Sequence, residues 1–192
     1  MKKIAIILGH PNPDSYCASL AHAYATAAQA QGHSLRWIDL SSMQFDPVLR
    51  AGYRQAQPLE ADLKLAQETL QWAEHWVFVY PIWWGSMPAL LKGFFDRVLN
   101  PGFAFAYRKN SVFWDKLMTG RSAQLIVTLD TPAWYFRWVY RMPGHNQMRL
   151  TILEWVGVKP VKLAQFGPVQ GSSDLQRAKW QSKVVELARR LR

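Results

Sequence analysis

Ile4–Leu8 and Trp76–Tyr80 are unbroken apolar runs, and each leads through a short turn into a stretch with helical spacing. Runs this short cannot form a buried helix. Their aliphatic and aromatic side chains suit a strand covered on both faces. The alternation continues along the chain. Ser15–Gln31 is alanine-rich and helical, and Gly32 ends it. Ser34–Asp39 alternates as a strand nearer the sheet edge would, and Leu59–Glu74 places Leu59, Leu63, Ala66, Leu70 and Ala73 on one helical face. Ala89–Leu99 reads as a helix, Ala123–Leu129 and Val161–Phe166 as strands, and Leu175–Leu191 as a closing amphipathic helix. Five strands separated by helices imply a parallel sheet with helices on both faces.

Strand and helix repeated about five times in 192 residues suit a single domain, 1–192, with the flavodoxin-like doubly wound α/β fold. Three long connections interrupt the pattern, Leu40–Pro58, Asn100–Ser122 and Thr131–Lys159, and long connections tend to carry binding surfaces. Hydrophobic residues make up 49% and charged residues 19%, which excludes a disordered chain. No apolar run approaches the roughly 18 residues of a membrane span. Met1-Lys2-Lys3 before Ile4–Leu8 has too short an apolar part for a signal peptide, so a cytoplasmic location is expected. The single cysteine, Cys17, excludes an internal disulfide, and the histidines at 10, 22, 33, 75 and 145 have no metal-ligand spacing. The formal charge of +10 is spread without a dense basic tract or a helix-turn-helix pattern, so no nucleic-acid partner is expected. A phosphate-bearing cofactor fits the positive field better.

Two turns carry the chemistry. After the first strand come Gly9-His10-Pro11-Asn12-Pro13-Asp14-Ser15, leading straight into a helix, without G-x-G-x-x-G or a P-loop. Free N–H groups and the helix dipole at this point make an anion seat, to which Ser15, Ser19 and His10 could add donors. Equally, Asp14 or Ser15 could be the helix N-cap and Cys17 a small buried hydrophobe. After the third strand, Pro81 to Gly85 puts Trp83 and Trp84 on a turn at the carboxyl end of a central strand, where open α/β sheets bind ligands. Such a turn can offer backbone N–H groups and aromatic surface to a flat ligand, or the tryptophans could fill the core.

Taken together, His10-Pro11-Asn12-Pro13-Asp14-Ser15, Pro81-Ile82-Trp83-Trp84-Gly85-Ser86-Met87-Pro88-Ala89-Leu90-Leu91-Lys92-Gly93 and Gly102-Phe103-Ala104-Phe105-Ala106-Tyr107 resemble the flavodoxin-like NAD(P)H:quinone oxidoreductases. That family includes flavoproteins attached to potassium-efflux systems. The resemblance implies that His10, Ser15, Tyr16, Cys17 and Ser19 hold the flavin phosphate side. It implies that Pro81, Ile82, Trp83, Trp84 and Gly85 wrap the ring, and that the loop from Thr128 through Asp130 reaches it from the other side. It also implies a homodimer, with each pocket completed by the partner chain, and ping-pong hydride transfer from NAD(P)H to a quinone or similar electrophile. The flavin carries that chemistry.

Three departures matter. Cys17 stands where family members often have Asn, and Thr128-Leu129-Asp130-Thr131-Pro132 replaces the usual Thr-Thr-Gly-Gly. Gly102 stands where members using FAD can carry a Glu, which tilts the expectation to FMN, with FAD as the alternative. Segment 134–149 interleaves aromatics with arginines and holds no acid, as a planar-substrate lid, a membrane-surface patch or a partner surface would. In the family the chain resembles, a Tyr and a His beyond the fourth strand line the pocket, and that resemblance makes Tyr135 and His145 the pocket candidates within this segment. A different class of function, a regulatory subunit docked on a membrane transport protein, rests on the same segment. A flavodoxin-type electron carrier fits a +10 chain poorly.

Overall fold

The computed structural model describes residues 1–191; Arg192, the last residue of the expected domain, lies outside them. Five parallel strands form the sheet: β1 (Lys3–Leu8), β2 (Ser34–Asp39), β3 (His75–Pro81), β6 (Ser122–Thr128) and β7 (Val161–Phe166). Their order is β2-β1-β3-β6-β7, with β1 and β3 at the centre, which is the flavodoxin-like arrangement expected from the sequence. Every residue of β3 is buried, whereas most of β2, an edge strand, is not. The long apolar runs therefore mark the middle of the sheet and the alternating run its edge.

One face of the sheet packs on α1 (Tyr16–Ala30) and α7 (Asp174–Arg189) through Ile4, Ile6, Leu20, Tyr24, Val77 and Val184. The other packs on α2 (Ala61–Trp72) and α3 (Ala89–Val98) through Ile7, Leu63, Leu70, Phe78, Leu91 and Phe94. Each helix begins and ends within two residues of its expected bounds. The Leu40–Pro58 connection has no regular structure, yet it is held by Arg97 of α3. That guanidinium is almost fully buried, pairs with Glu60 at 2.7 Å and donates to the carbonyl of Pro58. Removing one partner of such a pair typically costs about 3–5 kcal/mol.

The other two long connections are structured, which the sequence pattern did not anticipate. Asn100–Ser122 contains an antiparallel hairpin of β4 (Phe105–Tyr107) and β5 (Trp114–Lys116), each strand too short to show a period. Thr131–Lys159 is mostly helical: α4 (Ala133–Trp138), α5 (Pro143–Asn146), a π-helical stretch Gln147–Leu153 and α6 (Glu154–Val156). Arg141 and Met142, both at positive φ, break this segment between α4 and α5.

Candidate functional site

Both turns lie at the carboxyl edge of the sheet and touch one another: the His10 and Trp83 rings meet edge-on with centroids 5.3 Å apart. In the first turn the side chains mainly satisfy their own backbone. The Ser15 hydroxyl caps α1 by accepting from the Ala18 N–H, and Ser19 donates to the Tyr16 carbonyl at 2.8 Å. The Tyr16 hydroxyl donates to the Arg177 carbonyl. His10 Nδ1 lies 2.9 Å from the Asn12 backbone nitrogen and 3.1 Å from the Asn12 carbonyl oxygen, so the ring is tied to its own turn. Burial holds its pKa below the ordinary histidine value, so the ring is neutral at pH 7. The first N–H groups of α1, those of Tyr16 and Cys17, have no intrahelical partner and form the donor end of the helix dipole. Asp14, next to the N-cap, is exposed.

Cys17 sits inside. Its side chain is 2% exposed and its Sγ lies 3.2 Å from Thr128 Oγ1, itself buried. Burial pushes the thiol pKa up to about 11. The small-hydrophobe reading of Cys17 describes its side chain, and Cys17 and Thr128 can face a ligand only through backbone groups. Asp130 is exposed but ties its loop to the connection that follows the last strand, accepting from the Val169 and Gln170 N–H groups at 3.0 and 2.7 Å.

The second turn behaves in the opposite way. Trp83 and Ser86 exchange both backbone hydrogen bonds, at 2.8 and 3.0 Å, with Trp84 at φ +52° and Gly85 at φ +76° between them. Two left-handed central residues define a tight hairpin turn that favours glycine and disfavours tryptophan. Trp84 is nonetheless there, fully exposed, so the indole is not core filler. Hydrogen bonds take the N–H groups of Ile82, given to the Thr128 carbonyl, and of Trp83, whereas those of Trp84 and Gly85 have no partner among the described residues. Trp84 and Gly85 line a cavity of about 480 Å³ with Ile82, Thr131, Tyr140 and Pro143.

The far wall of this cavity comes from the 131–149 segment. Gly144 makes that approach possible. A Cβ there would fall 2.7 Å from the Gly85 carbonyl oxygen and 3.0 Å from Ser86 Cα. Of the pocket candidates, neither Tyr135 nor His145 lines the cavity; Tyr140 does. Tyr135 packs its ring against Tyr140 at 4.9 Å. His145 is buried against Phe136, its Nε2 bonded to Gln165 Oε1 at 2.8 Å and its pKa lowered by burial. Thr131, Tyr140, Pro143 and Gly144 were not singled out by sequence. The aromatic-basic segment was the available signal, but its αL break and π-helical stretch leave no spacing from which to choose the residue that faces inward.

Known proteins share this fold. A family model described as flavodoxin-like fold matches residues 2–190. The chain is 33% identical over 149 residues to the ribosyldihydronicotinamide dehydrogenase [quinone] of Pongo abelii, covering 66% of this chain and 63% of that one. It is 26% identical over 188 residues to an uncharacterized NAD(P)H oxidoreductase of Haemophilus influenzae, covering 95% and 90%. The solved structure of Smu.1420 from Streptococcus mutans superposes with a TM-score of 0.83 at 33% identity, covering 98% of this chain and 100% of that one. The match spans 57–63% of the length of some of the curated relatives.

Proposed function

The chain belongs to the family with the flavodoxin-like fold, and on that premise we propose that it is a flavin-dependent NAD(P)H oxidoreductase that reduces quinones or related electrophiles. The observation that carries this reading is the Trp83–Ser86 hairpin. Its two central residues, Trp84 and Gly85, keep unpartnered N–H groups and line a cavity whose other walls are Ile82, Pro143, Thr131 and Tyr140. That is a site for a flat ring with a polar edge. The names of the Pongo and Haemophilus relatives point to the same chemistry.

The residues fit a bound flavin in a consistent way. The N–H groups of Trp84 and Gly85 would donate to the polar edge of the ring, and as fixed dipoles they favour an anionic over a neutral ring. Ile82 and Pro143 would exclude water from one side, and Trp84 would flank the ring. Tyr140 and Thr131 would bring hydroxyl groups to the same space. The Tyr16 and Cys17 N–H groups, with neutral His10 beside them, would hold the phosphate. When bound, the flavin accepts a hydride from NAD(P)H and passes two electrons to the acceptor, which leaves as hydroquinone after taking up protons. The part of these residues would be orientation, water exclusion and charge stabilisation, with the Tyr140 phenol the one titratable side chain among the described residues that line the cavity.

We assign FMN to the site. We also propose a homodimer, supported by an open cleft of about 330 Å³ in which the aromatic rings of Tyr53, Phe105, Tyr107 and Trp155 lie beside the Lys92–Asp96 ion pair. The test is a purified preparation. It should be yellow, release FMN on heating, oxidise NADH or NADPH only when a soluble quinone is supplied, and sediment as a dimer. A protein that takes up no flavin and consumes no NAD(P)H would overturn the reading.

A further inference from the structure

We propose that the 134–141 surface is a docking site for an anionic lipid bilayer. Phe136 anchors the segment: its side chain is buried, and its carbonyl accepts the Met142 N–H at 2.9 Å. Around that anchor most of the segment is exposed, with Tyr135 half-buried between Trp134 and Tyr140. Trp134, Trp138, Val139 and Tyr140 are 63%, 71%, 52% and 49% exposed. Large apolar groups normally lie inside, and a contiguous exposed set marks a contact surface.

Two features select lipid as the occupant. The first is charge. Arg137 and Arg141 are exposed on the same segment, have no ion-pair partner among the described residues, and no acid occurs from 131 to 153. The acids that flank this stretch in sequence have partners of their own: Asp130 accepts two backbone N–H groups, and Glu154 pairs with Arg149. Were the patch to meet itself across a two-fold axis, these arginines would face their own copies without a counter-charge. An anionic headgroup layer supplies the counter-charge.

The second is residue type. Tryptophan and tyrosine prefer the membrane–water interface, where one end of the ring is apolar and the other wet. Here the Arg137 guanidinium lies 5.2 Å from the Trp138 ring centroid, a pair suited to the headgroup level. Tyr140 belongs to both this surface and the cavity wall. Resting on the quinone reading above, docking would therefore set the cavity mouth beside a source of lipid-soluble acceptor.

Vesicle flotation of the full-length protein tests the docking without any redox readout, so it succeeds or fails independently of the proposed activity. The protein should float with phosphatidylglycerol/phosphatidylcholine vesicles and bind them at least tenfold more tightly than pure phosphatidylcholine at 0.1 M salt. The double variant Arg137→Glu/Arg141→Glu should lose that preference. Trp134→Ser/Trp138→Ser should keep an attraction that 0.5 M salt abolishes. Lys179→Glu/Lys183→Glu, an equal charge change on exposed residues of α7, should bind as the unaltered protein does. Absence of binding by the unaltered protein overturns the proposal and needs no variant. So does an equal loss in the α7 variant, which would assign binding to bulk charge. So would dissociation of an oligomer by the Arg137/Arg141 change, which would make a second copy the occupant. Binding only to native membranes, and not to protein-free vesicles, would assign the surface to a membrane protein instead.

Discussion

The two ends of the central sheet follow opposite rules. At the amino end, neighbouring connections are tied by hydrogen bonds: Lys2 N–H to His33 Nδ1, Lys3 N–H to the Glu74 carboxylate, Ser122 N–H to the Glu74 carbonyl and Lys159 N–H to the Arg121 carbonyl. His75 is buried there, with Nδ1 against the Ser122 hydroxyl at 2.8 Å. At the carboxyl end, Trp84, Arg141 and Met142 hold left-handed backbone conformations and several tryptophans face outward. Strain of this kind costs on the order of 1–3 kcal/mol per residue. It persists because the well-bonded sheet behind it keeps the domain folded. Well-bonded backbone and strained, exposed backbone thus lie at opposite ends.

If that division holds, damage at the carboxyl end should remove function and spare the fold. Gly85→Val puts a β-branched residue at φ +76° and should flip the turn, withdrawing its two N–H donors. At about 1 kcal/mol for each lost hydrogen bond, FMN affinity should fall roughly 30-fold or more. Fluorescence titration of the apoprotein would measure this, with a melt alongside. A variant that binds FMN normally would show that the turn does not hold the ring, and one that unfolds would show that the two ends are not separable.

The amino end should report through pH. Burial, with Lys2, Lys162 and His33 nearby, lowers the His75 pKa to about 3. The folded state therefore refuses a proton that the unfolded state accepts below about pH 6.5. Stability from this site is complete above pH 6.5 and is lost progressively as pH falls towards 3, by about 1.4 kcal/mol per unit. Urea unfolding at pH 7, 6 and 5 should show the slope, and His75→Asn should flatten it. His10 and His145, also shifted down, act with the same sign and would leave a residue of the effect. A slope unchanged in the variant would mean His75 is not excluded from protonation.

What could be read from the sequence follows the same division. Strands whose side chains are all buried announce themselves, because covering both faces demands an unbroken apolar run, as in β1 and β3. The Trp83-Trp84-Gly85 turn was legible by position, at the end of such a run. The direction of each first-turn side chain was not. Ser15, Ser19 and Tyr16 could each have pointed to a ligand, and local hydrogen bonds to backbone won instead. Tyr140 was beyond reach for a different reason: two consecutive αL residues and a π-helical stretch reset the helical phase beside it.

Ser15→Ala gives a smaller effect that separates scaffold from site within the first turn. The hydroxyl caps α1, so its loss should cost about 1 kcal/mol, or 2–4 °C in Tm. If the phosphate is held by the Tyr16 and Cys17 N–H groups, FMN affinity should change by less than about threefold, the weight of a fraction of one hydrogen bond. A tenfold loss of affinity with no change in Tm would reverse the assignment and make the hydroxyl a direct ligand.

The smallest expected effect has the opposite sign. A tryptophan at φ +52° is strained, and the fully exposed Trp84 indole gains no burial in return. Trp84→Gly removes the Cβ that opposes the left-handed conformation, although glycine also gives the unfolded chain more freedom. The two terms nearly cancel, so thermal stability should hold or rise by up to about 0.5 kcal/mol. That would be unusual among replacements of a large aromatic residue, which lower stability wherever the ring is packed. The N–H groups at 84 and 85 stay in place, so FMN should still bind, with affinity reduced only by the lost aromatic face. The paired readout is a melt without ligand and an FMN titration of the same preparation. A marked fall in Tm would mean that the indole is packed in solution, in which case the exposed edge at this end of the sheet is smaller than its conformation implies.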